Sequence, residues 1–133
     1  MRLVPMLTPE NTSFWTGGEN GQLLITCCCS CNEAIHPPEL VCPKCLSRDV
    51  AARPASGTGK IYSYTINYQQ WLPDMQVPFA LAVVDVDDMP GVRITCEVID
   101  SVPDDVAIDA KVAFTFLKVK DVWVPQVRLV QGA

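Results

Sequence analysis

Six of the chain's seven cysteines fall between residues 27 and 45, in the run CCCSCNEAIHPPELVCPKC. Thiols at that density serve as metal ligands, nucleophiles or disulfide partners, and their spacing separates these uses. A structural zinc takes four ligands, and ribbons and fingers offer them as two C-x2-C pairs on tight turns, because two intervening residues let both sulfurs reach one ion. Cys42 and Cys45 form such a pair. For the first pair that spacing selects Cys28 and Cys31, since Cys27 lies one residue too far from Cys31 and Cys29 one too near. The expected site is Cys28, Cys31, Cys42 and Cys45, with ten residues between the pairs. After the second cysteine of such a turn the backbone often needs to be left-handed, which Asn32 tolerates and Leu46 suits less well. Zinc is the expected ion, and iron is the alternative that a four-thiolate tetrahedron also suits. With every position filled by protein, none is open to water, so the metal is expected to be structural and not catalytic.

The remaining candidates read as bystanders. Along an extended approach, Cys27 and Cys29 leave the strand on the side opposite Cys28. His36 is the only histidine and sits in the loop IHPP, away from ligand spacing. Cys96 belongs to VRITCEVI, where Val92, Ile94, Cys96 and Val98 alternate onto one face, the pattern of a core thiol. Covalent catalysis needs a nucleophile and a base within hydrogen-bond reach. One histidine and a set of cysteines committed to metal leave no catalytic residue to assign.

Elements that would position the cluster follow from the flanking sequence. At 133 residues, 49% hydrophobic and 19% charged, the chain lies in the soluble globular range. No stretch approaches the ~18 apolar residues that span a membrane. The start, MRLVPMLTPENTSFW, lacks the basic segment and apolar run of an export signal, which predicts a cytoplasmic protein. A reducing cytosol and an odd cysteine count both disfavour a disulfide framework. A short helix is expected from Thr8-Pro9-Glu10, with Thr8 as cap and Gly17-Gly18 as stop; its Phe14 and Trp15 are expected to cover the adjacent module. GQLLITCC then reads as a strand entering the metal site. The first fifty or so residues hold too little apolar material for a core of their own, so metal binding substitutes for one.

RPASGTGK, residues 53–60, is the natural joint. Its GTGK lacks the full phosphate-loop pattern and precedes a strand, so that reading is rejected. Five strands are expected after it: KIYSYTINY, with Tyr62, Tyr64, Ile66 and Tyr68 on one face, then FALAVVDV, VRITCEVI, VAFTFLKV and VWVPQVRLV. Pro125, having no N–H, should mark an edge or bulge. The fold class is thus mostly β: an N-terminal helix and zinc ribbon over residues 1–54, then a five-stranded OB-fold barrel over 55–133. Between the first two barrel strands, YQQWLPDMQVPF reads equally as local packing over the barrel mouth or as a surface for a partner or apolar ligand, with Trp71, Met75 and Phe79 as its candidates.

Zinc ribbons and OB-folds also recur in nucleic-acid-binding proteins. Formal net charge is −5, and from Lys60 onward six Lys or Arg face ten Asp or Glu, a poor balance for gripping phosphates. Nucleic-acid binding is therefore the rival reading and not the favoured one.

Taken in order, FW in the leading helix, G-x-L-L, C-x2-C, the HPP loop, CPKC, SGTGKIYSYT and PFALAVVDVD resemble one family over nearly the whole chain. This is the DUF35 family, in which a rubredoxin-like zinc ribbon precedes an acyl-CoA-associated OB-fold. Asn32 and Leu46 replace its usual glycines, and the extra cysteines are a further departure. The resemblance implies a non-catalytic subunit beside a thiolase-fold enzyme (a thiolase, acyltransferase or retro-aldol lyase), with a coenzyme A thioester as shared ligand of the complex. It carries over no residue for coenzyme A contact.

Overall fold

The structure is a computed structural model, and it describes residues 4–130. Its order is a short helix α1 (Thr12–Thr16), a 3₁₀ turn (Gly17–Asn20), strands β1 (Leu24–Cys28), β2 (Ala34–Ile35) and β3 (Val50–Pro54), then β4 (Thr58–Asn67), β5 (Phe79–Val86), β6 (Arg93–Ile99), a 3₁₀ turn (Pro103–Asp105), β7 (Lys111–Val119) and β8 (Val122–Leu129). Among the described residues no helix is long and apolar enough to cross a membrane.

The first three strands form an antiparallel sheet in the order β2-β1-β3. β1 is buried on both faces, because alternate residues serve different neighbours. Ile25, with Leu23 just before the strand, belongs to the main core, whereas Cys28 clusters with Ile35 and Cys42. β3 pairs with β1 through Pro54, so regular structure extends into the segment expected as a joint.

The five expected barrel strands are all present and close in the order β4-β5-β6-β8-β7. Every contact is antiparallel except β6 with β8. Alternation supplies the core: Ala80, Ala82, Val84 and Val86 of β5 face inward beside Ile94, Cys96 and Val98 of β6. Burying each such Val or Ile contributes about 1.5–3 kcal/mol. In β4, however, a register shift between Ile61 and Ser63 breaks the period. Tyr62 stays outside under the Arg93 guanidinium at 3.8 Å, whereas Tyr64 and Ile66 are registered with the inward Ala82 and Ala80. The four residues Tyr62, Tyr64, Ile66 and Tyr68 therefore do not share one face as the alternation predicted.

The N-terminal segment ties ribbon to barrel. Its helix begins at Thr12, later than expected: Asn11 Oδ1 accepts the Thr8 N–H at 2.7 Å, and the buried Thr8 hydroxyl caps nothing. The α-helix ends at Thr16 with Gly17 as its C-cap, where the glycine pair was expected to stop it, and the chain goes on as the 3₁₀ turn, which ends at Gly21, φ +69°. Gly18 also serves close approach, since a Cβ there would lie 2.5 Å from Trp123 Cβ and 2.6 Å from a Phe116 ring atom. Phe14, 5% exposed, enters the same core as Ile61, Val84 and Val112, so the two sheets share one apolar interior.

Candidate metal centre and groove

Both cysteine turns are built the same way. The Cys28 N–H donates to Glu33 O at 2.9 Å and its carbonyl accepts from Asn32 at 2.9 Å; the Cys42 N–H donates to Ser47 O at 2.8 Å and its carbonyl accepts from Leu46 at 2.9 Å. Closing that ring requires a left-handed residue after the second cysteine, and Asn32 (φ 63°) and Leu46 (φ 64°) both comply. Leu46 does so with a side chain 74% exposed, at a steric cost of about 1–2 kcal/mol. Bonds between the turns hold them face to face: Ser30 Oγ to Ser47 Oγ at 2.9 Å, Lys44 to Glu33 at 3.4 Å, and Cys29 N–H to Asp49 O at 2.7 Å.

This framework brings Cys28, Cys31, Cys42 and Cys45 together, their sulfurs all within 4.8 Å of one another. Cys28 to Cys45 is 3.5 Å and Cys31 to Cys42 3.7 Å. A tetrahedron with Zn–S bonds of ~2.3 Å has sulfur–sulfur edges of about 3.8 Å, so the donor set fits zinc in number, softness and size. Backbone dipoles point the same way. The Cys28 sulfur accepts N–H groups from Cys31 at 3.5 Å and Ser30 at 3.4 Å, and the Cys42 sulfur accepts from Cys45 at 3.5 Å. The Cys31 N–H holds the Cys28 thiol down at about 6, and the Cys45 N–H likewise lowers Cys42. The N–H of Glu33 favours the Cys31 thiolate, yet burial and the neighbouring thiols push that group up to about 12. Four sulfurs this close ionise together only around a cation.

The other thiols stand apart. Cys27, on the opposite face of β1, is 3% exposed and its pKa is raised by burial, whereas Cys29 is exposed. Cys96 lies in the barrel core, pushed up to about 12 by burial, a poor nucleophile. His36 follows β2 directly and is half-buried; its ring centroid lies 4.9 Å from that of Phe14, its Nδ1 is buried without a partner, and burial lowers its pKa.

Residues 68–78 arch over the outside of the barrel and enclose a groove of about 530 Å³. Met75 and Phe79 line it, together with Leu72, Asp74 and Gln76. Trp71 does not line it: its ring is 71% exposed and its Nε1–H donates to Asn67 Oδ1 at 3.1 Å. Met75 O accepts from Gln70 Nε2 at 3.0 Å, which ties the loop across itself. The floor comes from Leu81 of β5, from Thr95 to Glu97 of β6 and from Val124 to Gln126 of β8, none of which the sequence reading nominated. Pro125 carried the one available signal. Its missing N–H falls just before residues 126–128, where pairing to β6 begins.

Comparison with known proteins assigns both halves. Residues 15–51 match the family described as ChsH2, rubredoxin-like zinc ribbon domain, and residues 52–117 match ChsH2, C-terminal OB-fold domain. A probable enoyl-CoA hydratase alpha subunit of Thermomonospora curvata is 28% identical over 118 residues, 89% of this chain; the chain spans only 36% of that protein's length. A DUF35 domain-containing scaffold protein of Methanocaldococcus jannaschii is 29% identical over 96 residues, covering 71% of this chain and 67% of that one. Among solved structures, a chain of the Ltp2-ChsH2(DUF35) aldolase superposes with a TM-score of 0.85 at 27% identity, over 95% of this chain and 98% of that chain. A DUF35-family protein of Sulfolobus solfataricus shares the fold at 17% identity, TM-score 0.63, over 92% of this chain and 86% of that chain.

Proposed function

Because the chain belongs to the DUF35 family, a rubredoxin-like zinc ribbon joined to an OB-fold, we propose that it is a non-catalytic subunit of an enzyme complex acting on acyl-CoA. The catalytic partner in this reading has a thiolase fold and is a thiolase, acyltransferase or retro-aldol lyase. The observation that carries it is the likeness, over 95% of this chain, to a chain of the Ltp2-ChsH2(DUF35) aldolase. The chemistry of the thiols and of the single histidine supports it. Cys27 and Cys96 are buried with raised pKa values, and His36 packs on Phe14, so no nucleophile and base are poised together among them.

Cys28, Cys31, Cys42 and Cys45 hold one zinc ion in this proposal. The ion supplies folding free energy and no reaction step, because four protein ligands leave no open position. This chain's contribution is geometric. Its barrel, the loop bearing Trp71 and Met75, and Phe79 at the start of β5 meet the partner near the entrance for the acyl-CoA, while the partner holds nucleophile and base.

Co-expression of the tagged chain with a thiolase-fold protein of the same genome tests this. A stoichiometric complex is expected, with partner turnover lost when this chain is omitted; a partner fully active alone contradicts the proposal. Trp71→Ala is expected to weaken assembly or raise KM for the acyl-CoA. If it changes neither, the loop serves local packing only.

A further inference from the structure

β4 has two neighbours along its first half and one along its second. Residues 58–60 pair with β5 on one side and β7 on the other. Ile61 still bonds the segment leading into β7, its N–H donating to Ala110 O at 3.0 Å and its carbonyl accepting from Asp109 at 2.8 Å. There the bulge between Ile61 and Ser63 bends the strand. From Ser63 to Asn67, among the described residues, β4 pairs with β5 alone. Bonding parity fixes which peptide groups are left over. The Val86 N–H donates to Val92 O and the Asp87 N–H to Thr58 O, so even positions of β5 bond β6 and odd positions bond β4. The odd positions Leu81 and Val83 stand opposite Thr65 and Ser63. Tyr64 and Ile66 therefore turn their N–H and C=O groups away from β5, onto an open edge.

Native edges are blunted by charge, by proline or by a covering segment. This one carries neither of the first two: residues 61–73 include no charged side chain, and Ser63 to Asn67 contain no Pro. All three tyrosines of the chain fall within residues 62–68, and all three are exposed. Peptide groups at strand spacing are matched by another strand, and charge and sequence identify which. Each chain carries a net charge of −5, so two copies meet at least cost where charge is absent. The edge is also complementary to itself. In antiparallel pairing about a two-fold axis at Thr65, Tyr64 stands opposite Ile66 of the second copy and Ile66 opposite its Tyr64, each pair exchanging both main-chain bonds. Aromatic against β-branched is a favourable cross-strand pair. Thr65 then meets its own counterpart on the other face, and Ser63 meets Asn67, so every pair is neutral.

We infer that the chain forms a two-fold homodimer in which the second half of β4 pairs with the same segment of a second copy, centred on Thr65. The two barrel sheets then continue into one another across the axis. Pairing requires no other protein, so it stands or falls apart from the accessory-subunit reading.

Sedimentation of the full chain across a concentration series is expected to show its mass rising from one chain to two. Under mild oxidation, Thr65→Cys is expected to give a disulfide joining position 65 to itself, because a non-hydrogen-bonded pair lies within disulfide reach; Ser63→Cys, opposite Asn67, is expected to give none. Tyr64→Pro removes an outward N–H and no bond to β5, and Thr65→Lys sets like charges opposite one another. Each is expected to weaken dimerisation about tenfold with circular dichroism and metal content unchanged. A monomer at every concentration up to about 1 mM, a dimer that neither variant weakens, or a disulfide from Ser63→Cys and none from Thr65→Cys overturns the proposal. So does protection of the Tyr64 and Ile66 amides from hydrogen exchange that is absent in the concentrated chain alone and arises only when a thiolase-fold protein binds, since the edge then belongs to that protein.

Discussion

Ribbon and barrel hold their shapes by different physics. Around the cysteine turns the clustered buried residues are Cys28, Ile35 and Cys42, two of them proposed ligands, with Cys31 and Val50 packed alongside. The barrel instead buries Ile61, Val84, Val112 and Val127 completely and draws Phe14, Leu23 and Ile25 into the same core. A few exact spacings specify the ribbon, because four sulfurs must reach one ion. The barrel is specified by alternation spread over five strands, where no single residue decides the fold.

The largest effect that sharpens this contrast is expected from Cys42→Ser. Metal binding in such modules carries on the order of 10 kcal/mol of folding free energy, so the variant should purify without stoichiometric zinc and with the ribbon unfolded, by metal analysis and circular dichroism. Ile61→Ala acts on the other region. Emptying a fully buried site should cost about 2–5 kcal/mol in urea unfolding and leave zinc content untouched. Gly18→Val tests the strap between the two. A side chain forced against Trp123 and Phe116 should cost about 1–3 kcal/mol without changing zinc affinity. Leu46→Gly is the smallest and has the opposite sign: relieving a left-handed leucine should stabilise the ribbon by about 1 kcal/mol, read as tighter zinc retention against a competing chelator.

The same contrast explains what the sequence made legible. Spacing alone singled out Cys28, Cys31, Cys42 and Cys45, whose sulfurs the fold brings within 4.8 Å of one another, and the left-handed positions followed from the turn they close. The five barrel strands, and the inward Val92, Ile94, Cys96 and Val98, followed from alternation. Failures came where distant contacts override a local pattern. Gly17-Gly18 ends the α-helix as expected, but the sequence does not reveal Phe116 and Trp123 packing against Gly18. Asn11, not Thr8, precedes the helix, since its side chain reaches back to the Thr8 N–H. In β4 the bulge after Ile61 separates Tyr62 from Tyr64, and periodicity holds no record of one inserted residue. The groove was hidden for a related reason: it arises where β6 and β8 part, a matter of register between strands that are far apart in the chain.

Residue-resolved ¹H–¹⁵N spectra of the reduced chain, recorded before and after zinc is removed by a strong chelator, test the central claim most directly. Signals from β1 to β3 and both cysteine turns should collapse while those of Val84, Val112 and Val127 stay dispersed, and added zinc should restore the original spectrum. An unchanged spectrum, or one in which ribbon and barrel collapse together, contradicts the account.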